Sequence, residues 1–279
     1  MKTYQLKYLL INIKNKSFKI FEQPKLFRLY FNEYFKNIFF NSNINYYILS
    51  YPKSGRTWLF KILSLYSFKL NNDNFIKNRK LVNFDNKYIK FIHDCSDPNP
   101  YPVKTTEFKN KDLVNKKKII LLRDPREIII SFWYQMKFRE KTYNKNISEF
   151  IDDEYFGIEK LISFYNSINQ VLLNNFKIIT YNHLVSNTFE EIKKIVDFFN
   201  LEINENLIKN CIEDCSFDNL QKEEMKMLKS TDKRSMKFRS GVSGNFNYEL
   251  NNQDIEKINN KIKNKLNNNF KKILNLENI

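Results

Sequence analysis

The chain has 279 residues and carries 47 basic against 31 acidic side chains, a formal charge of +16. Its 42% hydrophobic and 16% aromatic content excludes a disordered polyelectrolyte and suffices for one large α/β core or two small ones. The charge fits an anionic partner, but it equally fits a chain crowded with Lys, Asn, Ile, Phe and Tyr, the residues of AT-rich codons, so it decides little alone.

Residues 1–44 form a basic, aromatic extension ("FRLYFNEYFKNIFF") with apolar residues near helical spacing, expected to be helical and packed on the domain that follows. The alternative for such a segment is a membrane surface. Its apolar run, Tyr8 to Ile13, is too short to span a bilayer and lacks a small-residue cleavage site. From residue 45 to 279 short β-rich runs alternate with helical patterns, the mark of a parallel sheet flanked by helices. The predicted strands are Tyr46–Ser50, Tyr88–His93, Lys118–Leu122 and Phe176–Tyr181. The predicted helices are Thr57–Leu70, Arg126–Phe138, Gly157–Asn174, Thr188–Phe199, Glu205–Cys211 and a lysine-rich Gln253–Leu274. Cys95, Cys211 and Cys215 include no CxxC pair, which argues against a disulfide scaffold or zinc site and fits a reducing, cytoplasmic compartment.

The first loop, "YPKSGRTW", stands where α/β folds bind ligands, beyond the carboxyl end of a strand. Pro52 stops strand pairing, and Gly55 lets backbone approach a ligand. The helix opens at Arg56–Thr57 with free N–H groups, while Lys53, Ser54 and Thr57 add side-chain donors. The result is a phosphate cradle, but not a Walker A loop, because the lysine precedes the glycine. In "LLRDPREIIISFWYQ", Arg123 ends a strand and offers a bidentate fork, Pro125 suits a first helical turn, and Ser131 follows on the helix. In "MKFRSGVSGNF" two of the chain's four glycines, Gly241 and Gly244, follow Arg239.

These stretches resemble the sulfotransferases that use 3′-phosphoadenosine-5′-phosphosulfate (PAPS). The first is similar to the family's Y-P-K-S-G-T-T-W phosphosulfate loop at every position but Arg56. The second resembles the 3′-phosphate motif, with Arg123 and Ser131 in its paired positions. The third is similar to R-K-G-x-x-G-D-W, with Ser240 replacing the lysine and Asn245–Phe246 replacing Asp–Trp. The resemblance spans about residues 45 to 250. It implies an α/β, P-loop-like fold with a central parallel sheet, sulfuryl transfer from PAPS to a hydroxyl or amine, and no metal. The cradle residues implied are Lys53, Ser54, Gly55, Arg56, Thr57, Arg123, Ser131, Arg239, Ser240 and Gly241. Trp58, Tyr181 and Phe217 are the implied purine slot.

The resemblance makes His93 the general base and Lys53 the stabiliser of the transferred group. The lysine that the family often carries two residues before its histidine is Phe91 here, and His183 reads as structural. A P-loop kinase is the alternative; it would need a Walker A loop and a magnesium-binding acid, for which Asp124 is the candidate. Lysines spread along the whole chain speak against a nucleic-acid partner. The acceptor, a small molecule, lipid or glycan, is expected among the loops 71–84, 94–109 and 137–156 and parts of 222–237. Their aromatics Phe84, Tyr101, Phe138, Tyr143 and Tyr155 are its expected lining. No family dimerisation motif follows Gly244, so the oligomeric state is unread.

Overall fold

The structure is a computed structural model and describes residues 44–71, 81–93, 115–169, 175–239, 241, 244 and 246–279. The extension before residue 44, the loop 94–109 and Ser240 therefore lie outside the described residues, as does the side chain of His93.

The sheet has the strand order β2-β3-β1-β4-β5, with β1 Ile44–Ser50, β2 Leu81–Phe84, β3 Lys87–His93, β4 Lys117–Leu122 and β5 Phe176–Thr180. β1 pairs in parallel with β4, Ser50 opposite Leu121, and β4 in parallel with β5, Leu122 opposite Thr180. Ile119, Ile120, Leu121 and Leu122 are all fully buried, as a central strand covered on both faces requires.

Helix α1 (Arg56–Asn71) covers one face with α6 (Thr188–Phe198) and α7 (Glu205–Asp214). Leu59, Leu63 and Tyr66 meet Ile48, Ile119, Leu121, Ile195 and Ile208 there in one apolar cluster. By strand alternation Leu49, Ile120 and Leu122 point the other way. That side belongs to α2 (Pro125–Tyr134), α3 (Ile147–Ile151), α4 (Ile158–Asn169) and α10 (Asn252–Lys265), with Ile129, Leu161, Ile162 and Ile258 buried. The remaining helices are α5 (Tyr181–Ser186), α8 (Phe217–Leu228), α9 (Phe246–Glu249) and α11 (Asn268–Ile273).

Several expectations change. The sheet is not wholly parallel, because β2 and β3 form an antiparallel hairpin, Leu81 opposite Lys90. Asp85 and Asn86 turn it with φ of 45° and 64°, the left-handed pair that a two-residue hairpin turn demands. Phe84, expected to line an acceptor pocket, instead packs from β2 on Tyr66 in a tilted pair with ring centroids 5.9 Å apart, and is only 3% exposed. The predicted Arg126–Phe138 helix ends at Tyr134 and continues as a π turn, Gln135–Arg139. Thr180 caps α5, a short helix where a turn was expected, and His183 is exposed on it.

The predicted Gln253–Leu274 helix breaks at Leu266, which is buried with extended backbone. Asn166 of α4 takes up both groups freed by the break. Its amide nitrogen donates to the Lys265 carbonyl at 2.7 Å, and its oxygen accepts from the Asn267 N–H at 2.9 Å. Asn166→Ala should therefore destabilise the protein by about 1–3 kcal/mol, the cost of leaving two backbone groups unmatched. Chemical denaturation measures it, and an unchanged midpoint would show that water replaces both bonds.

Candidate active site

The register of β1 on β4 brings two distant loops side by side. Ser50 and Leu121 are partners, so the chain leaves both strands at the same level, and the 51–55 loop meets Arg123. The Arg123 guanidinium donates through Nη1 to the Lys53 carbonyl at 2.9 Å and through Nε to Glu127 at 2.8 Å. It lies over the Tyr181 ring, 4.2 Å from the centroid. Its backbone exchanges hydrogen bonds with Tyr165, whose hydroxyl donates to the Arg123 carbonyl at 2.7 Å and accepts from its N–H.

Lys53 adopts φ of 72° and Gly55 φ of 93°, so the loop turns sharply before α1. The Gly55 carbonyl accepts from the N–H groups of Trp58 and Leu59, which makes Gly55 the helix cap. The N–H groups of the first turn consequently lack intrahelical acceptors. Only glycine fits at position 55, since a Cβ would lie 2.5 Å from the Tyr181 ring. Ser54 is fully buried, with its hydroxyl beside that of Tyr165. Thr57 is exposed at the helix mouth. Burial lowers the Arg56 guanidinium to about 10.

Facing this loop is one side of α2. Glu127, Ser131 and Gln135 follow one another at four-residue steps, so they share a face. Glu127 holds Arg123 and accepts the N–H of Gly244, while Gln135 accepts from Lys53 Nζ at 3.2 Å. Ser131 sits between them. Arg239 stacks over Tyr134 at 4.0 Å and pairs with Glu249. Gly241 has φ of 66° and abuts Phe217, whose ring carbons lie 2.6 Å from an added Cβ. Trp58 donates from its indole nitrogen to the Cys215 carbonyl at 2.9 Å, which ties it to the turn before Phe217.

The structure thus gathers Lys53, Gly55, Arg123, Tyr181 and the α2 face bearing Ser131, and beside them Arg239, Gly241, Phe217 and Trp58. β3 ends at His93 and neighbours β1. Asp124 caps α2 by accepting from Arg126 N–H at 2.8 Å and pairs with the Arg126 side chain at 2.6 Å. Sequence reasoning missed Glu127, Gln135, Arg139 and Glu224. Four-residue spacing was the signal available for two of them: Glu127 follows Arg123, and Gln135 follows Ser131, at that step.

The chain belongs to the sulfotransferase domain family. The family model matches residues 44–270. Sulfotransferase 2A1 from Homo sapiens is 26% identical over 221 residues, which cover 71% of this chain and 76% of that protein. Among solved structures, mouse sulfotransferase SULT7A1 complexed with PAP superposes with a TM-score of 0.60 at 16% identity, covering 84% of this chain and 89% of that one. Retinol dehydratase in complex with androsterone and inactive cofactor PAP gives a TM-score of 0.58 at 14% identity, with 80% of each chain covered. Family and fold therefore agree. Among the described residues no helix is long and apolar enough to cross a membrane.

The electrostatics single out Lys53. Desolvation lowers its ammonium from the usual 10.5 to about 7, and Lys237, Arg123 and Arg139 push in the same direction against Glu224. Because the folded value lies below the unfolded one, the cost of burying the charge is fully present below about pH 7. It is relieved as pH rises toward 10.5, so this group makes the ligand-free protein more stable across that window. Lys53→Met should flatten that part of the stability–pH profile. At pH 8 Lys53 should also be acylated ahead of the exposed lysines, as peptide mapping after brief labelling would reveal. Labelling no faster than at exposed lysines would mean that the amine is not depressed.

Proposed function

We propose that the protein transfers a sulfuryl group from PAPS to a hydroxyl or amine of a small-molecule, lipid or glycan acceptor. The observation that carries this reading is the bond from Arg123 to the Lys53 carbonyl, which joins a phosphosulfate-type loop to a 3′-phosphate-type arginine. The PAP in the two solved neighbours, 3′,5′-adenosine bisphosphate, fits the same reading. So do Gly55 and Gly241, whose missing Cβ atoms bring backbone against Tyr181 and Phe217. The free, buried Cys211 and Cys215 suit a cytoplasmic setting.

PAPS supplies an activated sulfuryl group; the chain's own residues do the rest. Lys53, Ser54, Gly55, Arg56 and Thr57 hold the 5′ end through side-chain donors and the open turn of α1. Arg123, Ser131, Arg239 and Gly241 hold the 3′-phosphate, with Ser240 carried by the resemblance alone. Trp58, Tyr181 and Phe217 wall the purine. His93 takes the acceptor's proton as the acceptor oxygen or nitrogen bonds to sulfur. The bond from sulfur to the bridging oxygen breaks, and Lys53 meets the charge that grows on that oxygen. An amine that titrates near 7 is only partly charged when the site is empty, and an anion placed beside it restores the ammonium.

The rival reading, a nucleotide phosphotransferase, needs an acid for magnesium. Asp124, its candidate, is spent on the α2 cap and on Arg126. Thermal shift should respond to 3′,5′-adenosine bisphosphate and weakly or not at all to ATP with magnesium; the reverse order would favour the phosphotransferase.

Residue roles separate by calorimetry and kinetics. Arg123→Ala should weaken the bisphosphate by about 1.5–3 kcal/mol more than it weakens AMP, because the charged hydrogen bond to the 3′-phosphate is lost only for the former, while the lost support of the Lys53 carbonyl is common to both. Equal losses would take Arg123 off that phosphate. With a verified acceptor, His93→Ala should abolish turnover at near-normal bisphosphate affinity. Lys53→Met should cut kcat by roughly two or more powers of ten with a smaller effect on binding. Collapse of binding at unchanged saturating kcat would reduce Lys53 to a tether.

A further inference from the structure

Glu224 is a carboxylate only 4% exposed, on α8, and the reaction described above gives it no part. Burying a charge without partners is costly, so its contacts carry information. One oxygen pairs with the Arg139 guanidinium, which also donates to the Ser235 carbonyl at 3.1 Å. The other accepts two successive backbone N–H groups, Lys237 at 2.8 Å and Phe238 at 3.1 Å. Glu224 thus joins the segment that leads into Arg239 to the π turn that ends α2.

Both ends of that clamp matter at the site. The π turn begins with Gln135, the acceptor for Lys53, and ends with Arg139. On the clamped segment Phe238 packs against the apolar cluster and lies 6.4 Å from Phe217 in an edge-on pair. Gln221, one turn before Glu224 on α8, donates to the Phe238 carbonyl at 2.7 Å. Arg239 turns to Tyr134, the residue next to Gln135.

We propose that Glu224 is a positioning residue that holds Lys237–Arg239 against the end of α2, so that these cations and Lys53 face one bound anion. Geometry and charge act together. The carboxylate fixes two N–H groups and, through Arg139, the turn that carries Gln135. Its negative charge also opposes the combined influence of Lys237, Arg123 and Arg139 on Lys53. The binding arm of the test rests on the sulfuryl-transfer reading; the charge arm does not.

The test uses the full chain and two variants. Calorimetry with 3′,5′-adenosine bisphosphate and AMP reads the clamp, and the pH midpoint of Lys53 acylation reads the charge. The wild type should prefer the bisphosphate; no preference would sink the sulfuryl-transfer reading and leave the Lys53 midpoint to judge Glu224. Glu224→Gln should lower bisphosphate affinity roughly tenfold with AMP little changed, the scale of one charge-assisted hydrogen bond. It should also move the Lys53 midpoint down, while Arg139→Gln, which removes a cation, should move it up. A purely structural role would not produce opposite shifts. A folded Glu224→Gln protein with both the wild-type affinity ratio and the wild-type midpoint would overturn the proposal. Should Glu224→Gln fail to fold, an unchanged midpoint in Arg139→Gln would overturn it equally.

Discussion

Arg123 donates to the carbonyl of Lys53, and the rest of the site depends on that bond. Lys53 is not a glycine, yet its φ is 72°, a backbone state that costs a non-glycine residue roughly 1 kcal/mol or more. The guanidinium that makes the bond is itself fixed by Glu127 and the Tyr181 ring, and the Arg123 backbone is fixed by its exchange with Tyr165. Strain at one residue is thereby held by contacts from α2, α4 and α5. Residues 70 positions apart in sequence meet because β1 and β4 are parallel partners that end at one level.

The same arrangement concentrates positive charge where solvent is scarce. Desolvation, with Lys237, Arg123 and Arg139 pushing the same way, lowers the Lys53 ammonium to about 7. Such a group of cations is poor for stability and good for binding anions, since a phosphate or sulfate relieves the repulsion and the desolvation together. Glu127, Glu224 and Glu249 answer the arginines Arg123, Arg139 and Arg239 one for one. Lys53 receives an amide oxygen from Gln135 instead of a carboxylate, which leaves its charge state to be set by whatever anion arrives.

The parts of this design that were legible in the sequence are those encoded by rare residues. Pro52 and Gly55 around Lys53 marked the loop, and the run of Ile and Leu before Arg123 marked a central strand. The hairpin β2–β3 is not legible although Asp85–Asn86 lies between two β-rich runs, because the four residues of "LVNF" lack strict alternation. The clamp on α8 was not legible at all. In "LQKEEMKML" the two glutamates are equivalent on paper, and about 100° of helical rotation separates them. Glu223 faces out and pairs with Lys61 on the surface, while its neighbour Glu224 is buried with Arg139. Which of two adjacent residues faces inward is fixed by how α8 packs, and composition carries no trace of it.

The π turn after α2 shows how a small backbone irregularity can serve the chemistry. The Glu140 N–H donates to the Gln135 carbonyl at 2.8 Å, five residues back, where a regular helix would reach four. Each hydrogen-bonded loop of the turn holds one more residue, so side chains beyond Gln135 depart from the face that the helix had kept. Gln135 still aligns with Ser131 and Glu127 and reaches Lys53, but Arg139 is turned to Glu224 and the Ser235 carbonyl. A single element can then address the first loop with one end of the turn and the Lys237–Arg239 segment with the other. A regular helix through the same residues would set Gln135 and Arg139 on one line, and both would compete for the same neighbour.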